Sequence, residues 1–274
     1  MVTSTDSQGK ATVLVDLFRL NGCTPLSHPD PSVLSLLTRL VDALRDECAI
    51  ETHGFSWDPE AWKDQLSRRW SYDGRKLADL VAAIDEVADT AGHRIERQHL
   101  HALAMAPVLV QFVAVMAWGY GSRGLGWWHL AKVFERNAGN SEGLEPALRK
   151  LERIRRLAHD GDPRALATSW LDQSHEARVV YLRAAFASKL AYAATGPDIW
   201  SAALIADRWV AWGLWMLTGL WDVRTNAEVY RRYIEIASAW ASSCRCQPDE
   251  IERALFTLGP RAEAAWGTIA GQRG

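Results

Sequence analysis

Apolar residues recur every three or four positions along most of the chain. Val33, Leu36, Leu37, Leu40, Val41, Leu44 and Cys48 form one stripe, and Leu77, Leu80, Val81, Ile84 and Val87 form another. That spacing places each set on a single face of an α-helix. Asp30-Pro31 precedes the first stripe, and Asp58-Pro59 precedes Trp62, Leu66 and Trp70. An aspartate followed by proline is a helix start, because the carboxylate accepts from free first-turn amides and the proline sacrifices no bond there. Similar patterns predict helices over about 126–137, 144–158, 163–173, 175–183, 188–195, 205–219, 226–243, 248–257 and 260–270. Thr12–Phe18, reading TVLVDLF, is the one short candidate strand and reads equally well as helix. The expected fold class is all-α, with an N-terminal helical region at 1–100 and a core at 101–274.

Residues 102–118, ALAMAPVLVQFVAVMAW, carry no charge. They fall short of a comfortable bilayer crossing, and Pro107 and Gln111 interrupt them, so a buried central helix is expected and no membrane partner. The glycines between 119 and 126 follow directly, in WGYGSRGLGWW from Trp118. They break the helix and let backbone approach a neighbour, as a tight inter-helix loop or as a substrate-facing one. The segment lacks the lysine and hydroxyl residue of a phosphate-binding loop.

The 274 residues suffice for one large domain or two helical lobes sharing a cleft. Fourteen tryptophans against six phenylalanines is a skewed division. Indoles fill cores and also stack on bases, so most are expected inside and one or two at a ligand. A net charge of -2 does not by itself announce a polyanionic partner. Local clusters say more: Arg149, Lys150, Arg153, Arg155 and Arg156 crowd one predicted helix, and Arg68, Arg69, Arg75 and Lys76 bracket a turn. Glu145 and Glu152 among the former fit a solvated face as well as a phosphate-binding one. Cys23, Cys48, Cys244 and Cys246 have no CxxC spacing and no secretory signal ahead of them, which reads as reduced thiols in a cytoplasmic protein. His99 and His101, two apart on a helix, face different directions, and neither a metal nor a cofactor is expected.

The chemistry is concentrated between Tyr181 and Trp212. Lys189 follows Ser188, a possible N-cap, near the start of an otherwise apolar helix, and Asp207 follows Leu204-Ile205-Ala206 at the start of the next. One helix, a turn at Thr195–Pro197 and a return segment fit the 18 residues between them and can bring the two helix starts together. Taken singly, Asp207 reads as an N-cap and Lys189 as a lysine reaching out from an amphipathic helix.

As a pair, in this context, they resemble the helix-hairpin-helix DNA glycosylase superfamily, specifically its 8-oxoguanine glycosylase (OGG-fold) branch. Ala187-Ser188-Lys189 matches the Gly/Ala-Thr/Ser-Lys that ends the family hairpin, and Asp207-Arg208-Trp209-Val210 matches its Asp-x-x-Val. Trp118-Gly119-Tyr120-Gly121, Tyr230 with Tyr233, and Asp249-Glu250-Ile251-Glu252-Arg253-Ala254-Leu255-Phe256 match further segments of bacterial OGG-fold proteins. The resemblance spans roughly residues 105 to 260. One departure stands out. The family hairpin reads Leu-Pro-Gly-Val-Gly, whereas Leu182-Arg183-Ala184-Ala185-Phe186-Ala187 contains no glycine, so Arg183 or the basic helix is expected to supply the phosphate contact.

The resemblance implies Lys189 as nucleophile and Asp207 as stabiliser of the positive sugar, acting on a base flipped out of double-stranded DNA. Trp118, Tyr120, Trp127 and Trp128 are the expected residues for stacking on that base or filling its gap, and Arg149, Lys150, Arg153 and Arg183 for phosphates. The divergent hairpin, the glycine-rich segment and the tryptophan excess resemble the bacteriophage replication inhibition DNA glycosylases, which implies removal of glucosylated hydroxymethylcytosine from phage DNA. Conventional 8-oxoguanine repair, or a helical DNA-binding module without catalysis, are the alternatives.

Overall fold

The computed structural model describes residues 30–69, 74–137, 143–196, 203–220 and 223–271. The expected strand at Thr12–Phe18, together with Cys23 and Trp70, lies outside them. Among the described residues the chain forms twelve α-helices and one two-stranded antiparallel ribbon, so the fold is all-α.

The N-terminal helices follow their caps. Helix α1 (Pro31–Glu47) starts where Asp30 accepts from the Ser32 amide, and buries Val33, Leu37, Val41 and Leu44. Helix α2 (Pro59–Arg69) starts where Asp58 accepts from the Ala61 amide, and buries Trp62 and Leu66. Helix α3 (Gly74–Ala91) turns Leu80, Ile84 and Val87 inward. The ribbon pairs Gly54–Ser56 (β1) with Arg94–Glu96 (β2), and the short helix α4 (Arg97–Ala102) follows directly.

The uncharged stretch forms helix α5 (Val108–Tyr120), in which every residue from 110 to 118 is buried. It sits at the centre, against α3, α4, helix α6 (Gly126–Asn137), helix α7 (Glu145–His159) and helix α9 (Ala184–Thr195). Helix α8 (Pro163–Leu171) precedes α9, and helices α10 (Arg208–Thr218), α11 (Ala227–Cys244) and α12 (Pro248–Gly271) complete the chain. Helix α1 returns against α11 and α12, so one hydrophobic core runs from Val33 to Ala262. No helix of the described residues is long and apolar enough to cross a membrane.

Three expectations need correction. Residues 175–183 are turn rather than helix, because side chains claim their backbone. Asn137 accepts from the Val180 amide and donates to the Val180 carbonyl, and His175 accepts from the Ala177 amide. Such bonds compete directly with a helical ladder. The following helix begins at Ala184, not Ser188, and its N-cap is Arg183. Finally, the two helices expected at 248–257 and 260–270 are one, with Pro260 inside it.

Helices α10 and α12 touch at backbone distance. A Cβ at Gly213 would collide with the Leu255 carbonyl, and one at Gly259 with the Trp209 carbonyl. Backbone cannot retreat as a flexible side chain can, so Gly213→Ala is expected to destabilise by about 1–3 kcal/mol. Urea denaturation checks this. An unchanged midpoint would show that the helices can part without cost.

Candidate active site

Asp207 is the N-cap of α10. Its Oδ1 accepts from the amides of Trp209 (2.9 Å) and Val210 (3.0 Å), satisfying two of the donors that a helix start leaves open. That commits one carboxylate oxygen and leaves Oδ2 facing Lys189 Nζ at 3.5 Å. The separation is an ion pair but too long for a strong hydrogen bond, so both groups keep capacity for a ligand between them.

The segment leading to Asp207 is fixed by side chains. Tyr230 Oη accepts from the Leu204 amide (3.2 Å) and donates to the Leu204 carbonyl (2.9 Å), which satisfies both backbone groups of one residue. Tyr233, one turn along α11, donates to the Ile205 carbonyl at 3.2 Å. Ser188 Oγ accepts from the Ala206 amide at 2.9 Å, tying the segment to α9 one residue from Lys189. Ser188 is therefore no helix cap. It fixes the register between the two elements that carry the pair.

Lys189 is only 7% exposed, on a helix whose small residues Ala184, Ala187, Ala191 and Ala194 let neighbours approach closely. Its ammonium lies 5.5 Å from the centroid of the Trp118 ring and 5.7 Å from that of Phe186. Aromatic faces attract a cation that has lost water. Phe186 stacks on Tyr120 with ring centroids 4.8 Å apart, and it occupies the space that a Cβ at Gly119 would need. The Tyr120 hydroxyl meets His129 Nδ1, while His129 Nε2 lies 2.7 Å from the Tyr181 carbonyl. A carbonyl only accepts, so Nε2 carries the proton and Nδ1 accepts from Tyr120.

The four expected aromatics do not form one surface. Trp118 is buried, donates to the His53 carbonyl and faces Lys189. Tyr120 stands one ring further out, beyond Phe186. Trp127 lines a separate cavity of about 640 Å³, together with Trp57, Trp62, Ser56, Asp58 and Gln65. Residues Gly121, Ser122 and Gly124 of the glycine-rich turn close its other wall. Trp128 instead lies beside Lys132. Phe55 links the two regions: its ring meets that of Trp118, and its Cβ closes against Gly121.

The expected phosphate contacts also divide. Arg149 and Arg183 are exposed. Lys150 donates to Asn137 Oδ1, Arg153 pairs with Glu176, and Arg155 donates to the carbonyls of Ala104 and Ala106. Half of the basic helix thus braces the fold. Phe186, His53 and Phe55 at the site were not singled out from sequence, and Ser188 was expected only as a helix cap. The three-residue spacing of Phe186 and Lys189 on one helix was the available signal for Phe186.

An all-α chain in which a short turn leads into a helix bearing a buried lysine, set against a capping aspartate, has the architecture of helix-hairpin-helix DNA glycosylases. A family model described as "Putative 8-oxoguanine DNA glycosylase OGG-like protein" matches residues 48–256, and the chain belongs to that family. The search of curated proteins and the search of solved structures each found no match.

Ser188→Ala would leave the buried Ala206 amide without its acceptor. The expected cost is about 1–3 kcal/mol by urea denaturation. An unchanged midpoint would remove Ser188 from the account of how Asp207 is held.

Proposed function

We propose that the protein is a DNA glycosylase that excises a flipped base with Lys189 and Asp207. The observation that carries this reading is the 3.5 Å approach of Lys189 Nζ to the uncommitted Oδ2 of Asp207, inside a family of glycosylase-like proteins. Breaking an N-glycosidic bond builds positive charge on the sugar. A carboxylate held by two backbone amides offers that charge a fixed partner and needs no reorganisation as it develops. The Lys189 amine, once unprotonated, can donate its lone pair to C1′ while the glycosidic electron pair leaves with the base, which takes a proton from solvent. Ring opening of the sugar then gives a Schiff base. Without that attack, water takes the same position.

Double-stranded DNA is the proposed partner. Exposed Arg183 stands at the start of α9, where the Ala184 and Ala185 amides have no acceptor within the helix. Those amides can contact a phosphate without the glycines of the family hairpin. Exposed Leu125 and Tyr181 are freer to fill a gap in the base stack than buried Trp118.

For the base itself, we favour a bulky neutral modification, glucosylated hydroxymethylcytosine in phage DNA, over 8-oxoguanine. In support, the cavity beyond Phe55 is of ligand-pocket size and, among the described residues, is lined by three indoles and one carboxylate. It suits a hydroxylated neutral group better than a phosphate. The family description favours 8-oxoguanine, which remains the second reading.

Three duplexes, carrying glucosylated hydroxymethylcytosine, hydroxymethylcytosine or 8-oxoguanine, separate these readings by alkali cleavage at the abasic site. The first is expected to be cut fastest. Borohydride should trap a protein–DNA adduct with the wild type and none with Lys189→Ala. Asp207→Asn should lower excision by about 100-fold or more. Full excision by Asp207→Asn would overturn the assignment. Binding without excision of any of the three bases would favour the non-catalytic DNA-binding alternative.

A further inference from the structure

A second set of ionisable side chains is buried beside the Lys189–Asp207 pair and has no part in the chemistry above. At its centre is Arg97 of α4, 2% exposed. Glu252 lies with Oε2 2.9 Å and Oε1 3.2 Å from Arg97 Nη2, and Asp249 Oδ2 lies 3.9 Å from Nη1. Tyr192 Oη accepts from Nη1 at 3.4 Å and donates to Asp249 Oδ2 at 2.9 Å. The guanidinium also lies 5.4 Å from the Trp118 ring, the same indole that Lys189 faces.

The charges in this set do not balance if all are ionised. One guanidinium faces two carboxyls, each 1% exposed, three residues apart on α12. Two carboxylates that share one buried cation cannot both ionise cheaply, because burial strips their hydration and each repels the other. Their hydrogen bonding fits one of them being neutral. Asp249 Oδ1 accepts no hydrogen bond, and Glu252 Oε2, though close to Arg97, lacks the alignment of one.

We propose that Asp249 and Glu252 together hold one proton in the folded protein, and that its release adds a negative charge behind Asp207, making Glu252 a positioning residue for base excision. The second half rests on the glycosylase reading; the first does not. The proton passes to bulk water, and no covalent bond changes. Because the transition state is cationic at the sugar, the added charge speeds excision.

The surroundings place the titration in a usable window. Burial pushes the Glu252 carboxyl up to about 7, with the charges of Asp207 and Asp249 adding to the rise and Arg97 opposing it. Burial raises Asp249 as well. His53 and His101 face the same region, but burial and Arg97 depress both to about 4, so they stay neutral where Glu252 titrates. From α9 the facing groups are Lys189 and Tyr192, from α11 Tyr230 and Tyr233, and the tyrosines are all raised by burial and stay neutral. On α12 itself, Glu250 is held below its usual range and pairs with Arg45 of α1, and Arg253 donates to the Cys48 carbonyl.

Two measurements test the proposal on the full chain. A carboxyl whose pKa is raised by folding stabilises the protein below its ordinary range and loses that contribution as pH rises toward the folded value. Between about pH 5 and about pH 7 the wild-type melting temperature should therefore fall by roughly 5 °C relative to Glu252→Gln, which cannot titrate. A constant difference would overturn the shared proton. Asp249→Asn gives a second route: with one carboxylate left for Arg97, the transition should move to lower pH. In single-turnover excision of whichever modified duplex is cut, the wild-type rate should climb about 3- to 10-fold more than that of Glu252→Gln between about pH 6 and about pH 8. Parallel profiles would overturn the positioning role even if the melting difference appears. If no duplex is cut, the glycosylase reading fails and takes the positioning role with it, while melting still decides the proton.

Discussion

The carboxyl of Asp207 is divided between two duties, and most of the structure around it serves to keep them divided. One oxygen closes the start of α10 and the other looks across 3.5 Å at Lys189. The first duty makes the second possible, because a side chain bound twice by backbone amides has no freedom to rotate away. Its position then depends on α10, which depends in turn on α12. The glycines at 213 and 259 bring those two helices to backbone contact, and α12 carries Asp249 and Glu252 to Arg97. The chain from cap to helix to buried cation is continuous.

Tyr230 and Tyr233 show how little regular structure this requires. Residues 204–206 have no sheet partner, yet four of their backbone groups are met by two phenol hydroxyls and one serine. Unmet amides or carbonyls there would cost as much as broken hydrogen bonds. The Tyr-x-x-Tyr spacing is thus explained by backbone accounting. Both phenols sit one turn apart on α11 and reach the carbonyls of Leu204 and Ile205.

What could be read from the sequence was local. Asp30, Asp58 and Asp207 act as caps because a cap depends on the few residues that follow it. The amphipathic stripes of α1 and α3, and the buried helix after Pro107, likewise needed only their own periodicity. The misreadings were set by distant partners. Residues 175–183 carry apolar spacing, but Asn137, more than forty positions earlier, takes the Val180 backbone. Ser188 looks like a cap until Ala206 is placed beside it. Strands β1 and β2 are three residues each, too short for any alternation to register. At the site, Lys189 and Asp207 stood out because of the family resemblance. The four aromatics lie at different places, because a tryptophan count says nothing about which way each indole turns.

The buried cluster around Arg97 poses a question of purpose. Replacing a buried ion pair by apolar side chains of similar volume is often neutral or stabilising, so stability alone is a weak reason for such a group. What an apolar substitute would not supply is a field. Arg97 shares the Trp118 indole with Lys189, and the charge of Asp207 adds to the rise of the Glu252 carboxyl. In a region that excludes water, those charges act over distances at which solvent would have silenced them. Their placement on helices that also hold the pair in position would, under the proposed chemistry, join the scaffold's electrostatics to the charge built on the sugar.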